Sequence, residues 1–405
     1  MSKSTPLYDR LLSLLSQYSN YQDFRHLKAL AWMINALICS SKINLSEWES
    51  YVISRATQAQ SIERRWQRFI HNSRIKFKSI YIPLVMAAIS DWSGQRVYLA
   101  LDTTVLWNQF CMIHISVVCP KGYRFAYGGR AVPFLWKVME HKSSTVGFKE
   151  YKPMLKLANY LLSQYSDVML LADRGFANHE LMSWLENSNW HYCLRLPCDV
   201  ILHGARKHPI ELKYLYPPKS EAILYHHVGL WLDGKHRCNL VLANVKGVKE
   251  PWAVITDEEP SLQTLWQYGL RFRVEELFLD SKSGVFQLES SKIREVKALE
   301  RLYLVIALAL LFATCQGMAV QLKGLRTQVD PHWKRGISYL KIGLRWLNGV
   351  LHKGRDLFTP IALCSHIPQL CFASNKAKRE YYKAKREYYD AIWFSRIREI
   401  KCATS

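Results

Sequence analysis

Two aspartates directly follow short apolar segments of the chain. Asp102 comes after residues 96–101 (RVYLAL), and Asp173 comes after residues 167–172 (DVMLLA). Such runs predict buried β-strands, and the carboxyl ends of strands are where α/β sheets commonly build their sites. An aspartate after a strand is also a common turn residue, because its side chain can hydrogen-bond its own backbone. The two carboxylates therefore indicate a site only if a third acid joins them.

A predicted helix from about Ser261 to Lys282 offers the third acid. At 100° per residue, one arc of about 60° on this helix contains four residues with chemistry: Tyr268, Arg271, Glu275 and Lys282. Glu276 lies about 100° from Glu275 and cannot serve the same face. A solvated stripe with an Arg271–Glu275 pair, worth about 0.3–0.5 kcal/mol, would not require Tyr268 or a cation at each end. The pattern indicates a ligand-binding face with one metal ligand and two phosphate-binding cations.

Asp102, Asp173 and Glu275 together form a set of oxygen ligands that suits two divalent metal ions, Mg²⁺ or Mn²⁺. Two such ions can activate a hydroxyl nucleophile and stabilise the leaving oxygen of a phosphodiester. The chain has a net charge of +22, which favours a polyanionic partner. Its ten cysteines include no CxxC pair, which argues against a zinc site. We therefore expect metal-dependent chemistry on nucleic acid.

These residues resemble the DDE transposases of the insertion sequence 4 family. The family signature, Y-(2)-R-(3)-E-(6)-K, is matched by Tyr268, Arg271, Glu275 and Lys282. The segments LALDTT around Asp102 and LLADRGF around Asp173 are similar to the family's first and second aspartate motifs. The resemblance implies an α/β protein with a ribonuclease H-like catalytic core, in which the three acids bind the metal ions. It also implies a β-strand insertion between the second and third acids.

The resemblance further implies roles in DNA binding. Tyr268, Arg271 and Lys282 would hold phosphates of the transposon end, and Arg195 sits where a DNA-contacting arginine is expected. Trp252 is similar to an insertion-domain tryptophan that stacks on a base flipped out during hairpin formation. The alternative for Trp252 is a buried strand aromatic. The implied reaction is cut-and-paste transposition: cleavage at the transposon 3′ end, formation and opening of a hairpin, and strand transfer into target DNA.

The surrounding sequence predicts the elements that position these residues. Strands are expected at 96–101, 112–118, 123–134, 167–172 and 191–196, with helices at 144–163 and 179–186, which is an α/β pattern. We expect five segments: a helical DNA-binding region at 1–94, the first part of the catalytic core at 95–196, a β-rich insertion at 197–257, the signature helix completing the core at 258–295, and a helical C-terminal region at 296–405.

Two basic segments stand out. Between residues 64 and 78, six cations are interleaved with Trp66, Phe69 and His71, which is typical of phosphate contacts with aromatic packing. The alternative is an amphipathic helix with a solvated charged face. Near the end, KAKREYY occurs twice in tandem, at 376–382 and 383–389, and predicts a solvated basic helix rather than a dedicated partner-binding helix.

The expected partner is double-stranded DNA, both the terminal inverted repeats and the target, bound by a homodimer in a synaptic complex. We expect a cytoplasmic, nucleoid-associated protein without a membrane role: Leu302 to Val320 lacks charge, but Thr314, Gln316 and Gly317 favour a buried core helix. Two alternatives remain open, an inactive regulator that binds transposon ends and a ribonuclease H-like nuclease. The intact acids argue against the first, and the second would not need the Tyr268, Arg271 and Lys282 set.

Overall fold

The chain folds into two compact units. The computed structural model describes residues 4–54, 56–118, 130–246, 248–331, 337–359, 361–364, 374–376, 378–380, 382–383 and 394–402. One unit, which we call the helical unit, contains residues 1–93, 103–144 and 273–371. The other, which we call the sheet unit, contains residues 94–102, 145–272 and 372–405. Each unit is therefore built from three separate stretches of chain.

Helices and strands alternate in the middle of the chain and helices dominate its beginning. The helices are α1 (Pro6–Tyr18), α2 (Phe24–Ser40), α3 (Ala59–His71), α4 (Phe77–Ala88), α5 (Phe148–Leu161), α6 (His179–Ser188), α7 (Leu262–Gly269), α8 (Phe272–Lys282), α9 (Val296–Leu322) and α10 (Tyr339–Lys353). The strands are β1 (Val97–Leu106), β2 (Phe110–Val118), β3 (Val132–Glu140), β4 (Val168–Ala172), β5 (His191–Arg195), β6 (Ile201–His203), β7 (Ile210–Glu211), β8 (Glu221–Leu230), β9 (His236–Ala243), β10 (Trp252–Thr256) and β11 (Arg396–Lys401).

Side-chain caps fix where several helices begin. Thr5 accepts a hydrogen bond of 3.2 Å from the Tyr8 amide at the start of α1, where Pro6 takes the first helical position. Asn178 accepts one of 2.9 Å from the Leu181 amide at the start of α6. Such caps satisfy amide donors that have no partner within the helix, so the local sequence determines these boundaries.

The core of the helical unit is built around α9. This helix packs against α2, α3, α4, α10 and β3. It is long and apolar enough to cross a membrane by length and composition alone, but 94% of its most apolar window is buried inside the fold. Burial of this kind is the behaviour of a core helix, as predicted for Leu302 to Val320.

Two glycines allow α9 and α10 to touch through their backbones. A methyl group on Gly317 of α9 would overlap the Tyr339 carbonyl oxygen of α10, and one on Gly343 would overlap the Ala313 carbonyl oxygen of α9. Only a residue without a side chain fits at this crossing, because packed interiors do not yield by a whole methyl group.

The sheet unit contains a large mixed sheet. Its strand order is β1-β4-β5-β10-β9-β8-β6-β7, and β11 pairs in parallel with β8. β1, β4 and β5 are parallel to one another, and β10 joins β5 in the antiparallel sense. The β4–α6–β5 segment forms a crossover of the kind that parallel strands require. The strands β6 to β10 all lie within residues 197–257, where the sequence predicts a β-rich insertion.

The predicted signature helix is wrong as a single continuous helix. The segment forms two helices, α7 and α8, separated by a turn at Leu270 and Arg271. The amides of these two residues bond the carbonyls three positions earlier, at Gln267 and Tyr268, rather than four. Gly269 supplies a reason, because glycine costs about 1 kcal/mol relative to alanine inside a helix. The predicted arc of about 60° requires an unbroken helix, so the four signature residues do not share one helix face across this turn.

Three other expectations differ from the structure. The first strand does not end before Asp102 but runs from Val97 to Leu106, so Asp102 lies inside it. The third strand runs at Val132–Glu140 instead of 123–134, and residues 123–129 lie outside the described part of the chain. The region 296–405 is not helical throughout, because Arg396–Lys401 forms β11 against β8. Much of the tandem KAKREYY segment also lies outside the described residues.

Candidate active site

Strand register brings Asp102, Asp173 and Arg195 into one row. Leu101 of β1 pairs with Ala172 of β4, and Ala172 pairs with Leu194 of β5. The next residue on each strand therefore occupies an equivalent position. Neighbouring strands lie about 4.8 Å apart, and side chains at paired positions point to the same face. We call Asp102, Asp173 and Arg195 the strand-end row, after the ends of β4 and β5, although Asp102 itself lies inside β1.

The first aspartate of the row is held by the signature arginine. Arg271 Nη1 donates a hydrogen bond of 2.7 Å to Asp102 Oδ2. The side chains are 4% and 15% exposed, respectively, so this charge-assisted bond is largely shielded from water. The guanidinium lies 4.9 Å from the ring centroid of Phe272 and 5.7 Å from that of Tyr268. Aromatic packing and the Asp102 carboxylate together fix its position.

The second aspartate is held by the signature tyrosine. The Tyr268 hydroxyl donates a hydrogen bond of 3.1 Å to Asp173 Oδ1. Arg195 Nη1 lies 3.9 Å from the same oxygen. Burial raises the pKa of Tyr268 to about 12, so its hydroxyl stays protonated and remains a donor at neutral pH. Two residues that lie far from each other in sequence thus converge on one carboxylate oxygen.

Trp252 packs into the protein rather than standing open at the site. It is 6% exposed and contacts Tyr268 edge-on, with 5.4 Å between ring centroids. Its ring also lies 5.7 Å from that of Phe272. This packing agrees with the alternative of a buried strand aromatic. The role in stacking on a flipped base stays a prediction.

Two site residues, Arg174 and Glu250, were not identified from the sequence. Arg195 Nη2 lies 3.0 Å from Glu250 Oε2, and Arg174 Nη1 lies 3.4 Å from the same atom. Arg174 could have been found, because it directly follows the second aspartate in the segment DRGF. Glu250 gives no sequence signal: it is one exposed acid among several charged residues in the loop before β10.

The remaining signature residues belong to the helical unit. Glu275 lies on α8 and is exposed. Two other acids of α8, Glu276 and Asp280, form ion pairs with Arg130. Lys282 Nζ donates a hydrogen bond of 2.8 Å to the Val105 carbonyl. It also lies 3.3 Å from Glu289.

The carboxylates of the strand-end row suit a hard cation. Asp102 and Asp173 offer oxygen ligands from adjacent parallel strands, as Mg²⁺ or Mn²⁺ prefers. Within the described part of the chain, no group of three or more His, Cys, Asp or Glu side chains is arranged to hold a metal ion. The completion of the ligand set by Glu275 therefore stays a prediction.

The basic segment of the helical unit separates its cations from its aromatic residues. Arg64, Arg68 and several later cations are exposed, whereas Trp66 and Phe69 are 0% and 4% exposed. The rings of Trp66 and Phe69 thus belong to the core, whereas His71 is exposed on the surface together with most of the cations. This arrangement is that of an amphipathic helix, and backbone phosphates remain a suitable partner for its charged face.

Comparison with known proteins supports the transposase class. Residues 150–312 match a family model described as a transposase DDE domain. The matched region includes Asp173, Glu275 and the rest of the signature, and begins after Asp102. No curated protein matches the chain.

A structural similarity was also found, to one chain of a solved complex described as "Cryo-EM structure of piggyBac transposase synaptic complex with hairpin DNA". The similarity covers 95% of this chain and 82% of that chain, with 11% identity and a TM-score of 0.36. A TM-score of this size carries no argument about fold or function. The match of residues 150–312 to the family model is the finding that supports a DDE transposase.

Proposed function

We propose that this protein is a DNA transposase that cleaves and joins phosphodiesters at transposon ends. The observation that carries the proposal is the contact of two signature residues with two aspartates: Arg271 with Asp102, and Tyr268 with Asp173. A signature that arose by chance would not be expected to converge on the two carboxylates of adjacent parallel strands. The match of residues 150–312 to a transposase DDE domain supports the same class.

The finer fold is proposed to be that of ribonuclease H. Its support is the order of elements, with strands β1 to β3 followed by α5, β4, α6 and β5, and the parallel pairing of β1, β4 and β5. The antiparallel β2–β3 pair agrees with this arrangement. The insertion would consist of strands β6 to β10, which lie between Asp173 and Glu275 in the sequence.

In the proposed mechanism the protein holds the reacting strand and orients its own carboxylates. Asp102, Asp173 and Glu275 would be the ligands of two Mg²⁺ or Mn²⁺ ions. When bound, the ions would activate the attacking hydroxyl and stabilise the leaving oxygen. Tyr268 keeps Asp173 in a fixed rotamer by donating to Oδ1, and Arg271 does the same for Asp102 through Oδ2. Preorganised carboxylates need no rearrangement during reaction.

The proposed reaction is cut-and-paste transposition with a hairpin intermediate, on the basis of the family resemblance. The same in-line displacement would serve each step: water attacks first, the freed 3′ hydroxyl forms the hairpin, water opens it, and the 3′ hydroxyl joins target DNA. The partner would be double-stranded DNA, bound by a homodimer in a synaptic complex. A nucleoid-associated location follows from this partner.

Replacement of each acid by its amide tests the proposal. The substrate is a duplex that carries the inverted repeats expected to bracket the coding sequence, and cleavage is measured with Mg²⁺. D102N, D173N and E275Q should each abolish cleavage while largely retaining DNA binding. E276Q is the matched control, because Glu276 is the adjacent acid of α8 and pairs with Arg130 instead. Full cleavage by any of the three variants would refute the assignment of that acid.

Salt dependence tests the DNA partner separately. Affinity for a duplex should fall with salt at a slope of about −0.9 per phosphate neutralised. The exposed cations of α3 should contribute to this slope, so R64Q/R68Q should bind more weakly with a shallower slope. A response to salt that is flat in the unmodified protein would contradict a backbone-binding role for the basic surface.

A further inference from the structure

Glu250 lies between two arginines beside the second aspartate. Its Oε2 atom is 3.0 Å from Arg195 Nη2 and 3.4 Å from Arg174 Nη1. Arg195 also approaches Asp173, with 3.9 Å between Nη1 and Oδ1. The Glu250 side chain is 61% exposed, whereas that of Arg195 is 15% exposed. An exposed carboxylate thus engages the arginine that ends the strand-end row.

The chemistry of these groups suits a different anion equally well. The guanidinium N–H donors of arginine bind carboxylates and phosphates in the same way. Two arginines that share one carboxylate oxygen present the positive charge that a phosphodiester requires. Glu250 lies at a bend in the loop before β10 and is exposed, so an incoming anion can replace it without unfolding the sheet. Both side chains of the Arg174–Glu250 pair are exposed, and exposed ion pairs contribute little to stability, so loss of this pair costs little.

We infer that Arg174 and Arg195 form a binding subsite for a DNA phosphodiester, and that Glu250 fills this subsite until DNA arrives. The inference rests on the proposed function and adds to it a residue that competes with the substrate. The exchange involves no covalent change: the phosphate accepts the arginine hydrogen bonds, and the Glu250 carboxylate moves into water. Glu250 therefore weakens the binding of any strand that does not make enough other contacts to displace it.

The test measures binding of a short fluorescein-labelled duplex by anisotropy at low ionic strength, without cleavage. E250Q should bind about three- to tenfold more tightly than the unmodified protein, because the internal competitor has lost its charge. E211Q is the matched control. Glu211 is also a partly exposed acid of the sheet unit and pairs with Lys213, so its replacement removes the same charge elsewhere. It should change the affinity by less than twofold.

A double-mutant comparison then locates the effect. In an R174Q/R195Q background, E250Q should raise the duplex affinity by no more than E211Q does, because neither arginine of the subsite remains for Glu250 to occupy. E250D provides a second variant that keeps the charge but shortens the side chain, and it should give a smaller gain than E250Q. Circular dichroism and thermal melting establish that each variant is folded.

The outcomes separate the inference from the proposed function. Equal affinities of E250Q and E211Q, or a gain by E250Q that survives in the R174Q/R195Q background, would overturn the competitor role and leave the transposase proposal standing. A protein that binds no duplex at all, with or without Glu250, would overturn both. Tighter binding that depends on the two arginines supports the subsite.

Discussion

Arg271 Nη1 donates a hydrogen bond of 2.7 Å to Asp102 Oδ2, which joins the signature segment to the middle of β1. The two residues are separated by 169 positions in sequence. Their side chains are largely buried, so the interaction between the two charges is largely shielded from water. The pair therefore contributes to the fold of the sheet unit as well as to its site.

Loss of the arginine should remove the charge-assisted hydrogen bond that Arg271 donates to the buried Asp102 carboxylate. We expect Arg271→Met to lower the free energy of unfolding by about 3 kcal/mol, measured by urea denaturation at pH 7.5. The double variant D102N/R271M should recover part of this loss, because the amide carries no charge. Arg25→Met is the control, because Arg25 forms an exposed ion pair with Asp23. The free energy of unfolding of this variant should equal that of the unmodified protein within error. Additive losses in the double variant would contradict the coupling.

The hydroxyl of Tyr268 should matter more for chemistry than for stability. Tyr268→Phe keeps the ring against Trp252 and Phe272 but removes the donor to Asp173 Oδ1. We expect a decrease of about tenfold or more in metal-dependent cleavage, as for other groups that orient metal ligands, with a loss of about 1–2 kcal/mol in unfolding free energy. Tyr151→Phe, at a buried tyrosine that accepts a hydrogen bond from Asn178, should leave the cleavage rate unchanged. Unaltered cleavage by Tyr268→Phe would remove this residue from the site.

The contact between α9 and α10 should not tolerate a single methyl group. Gly343→Ala would place one against the Ala313 carbonyl, so we expect a loss of about 3 kcal/mol or more in unfolding free energy. Gly349→Ala on the same helix is the matched control. The nearest atoms to its methyl group would belong to the Arg355 side chain, which can move more readily than backbone, so its cost should be smaller. Similar melting temperatures for the two variants would show that the helices can move apart without penalty.

A buried histidine should make the helical unit sensitive to acid. His114 is 0% exposed, and its ring nitrogens lack hydrogen-bond partners among the described residues. Burial lowers its pKa from 6.5 to about 3, so below pH 6.5 the unfolded chain binds a proton that the folded chain does not. Stability from the neutral ring is complete above pH 6.5 and falls by up to about 1.4 kcal/mol per pH unit between pH 6.5 and 3.

His114→Phe should remove this slope, because the new ring cannot be protonated. The site suits an aromatic ring, since His114 lies edge-on to Phe278 and Tyr303 at about 5 Å. Urea unfolding at pH 7.5 and pH 5 measures the difference. His352→Gln, at an exposed histidine of α10, should keep the original pH dependence. If His114→Phe and the unmodified protein lose stability in parallel, another group is responsible.

Local sequence predicted the strands of the site because their signals are local. β4 is a short apolar run and β5 has an apolar centre, and the structure places both within a residue or two of the expected positions. The register between strands could not be predicted, because nothing in the sequence indicates that Leu101 of β1 pairs with Ala172 of β4. The break at Gly269 differs from the sequence-based expectation, because the spacing of the signature residues predicts one continuous helix. Propensity at a single glycine is a weak signal beside a pattern of this kind.

The residues that could not be predicted owe their roles to distant partners. Glu250 is one of many charged loop residues until Arg174 and Arg195 are placed around it. β11, with the sequence RIREIK, has too many charges to read as a strand, and it becomes one because β8 offers an edge. Strand formation depends on its neighbours more than on intrinsic preference.

The pairing of β11 with β8 has a consequence for the synthesis of the protein. Arg396 aligns with Glu221, so this part of the sheet cannot be completed until about 175 more residues have left the ribosome. Contacts so distant in sequence form slowly. During that delay the edge of β8 from Glu221 to His226 lacks its last neighbour, and exposed strand edges promote aggregation. In a nascent or prematurely terminated chain that lacks β11, this edge would therefore stay open to pairing with a strand of another chain.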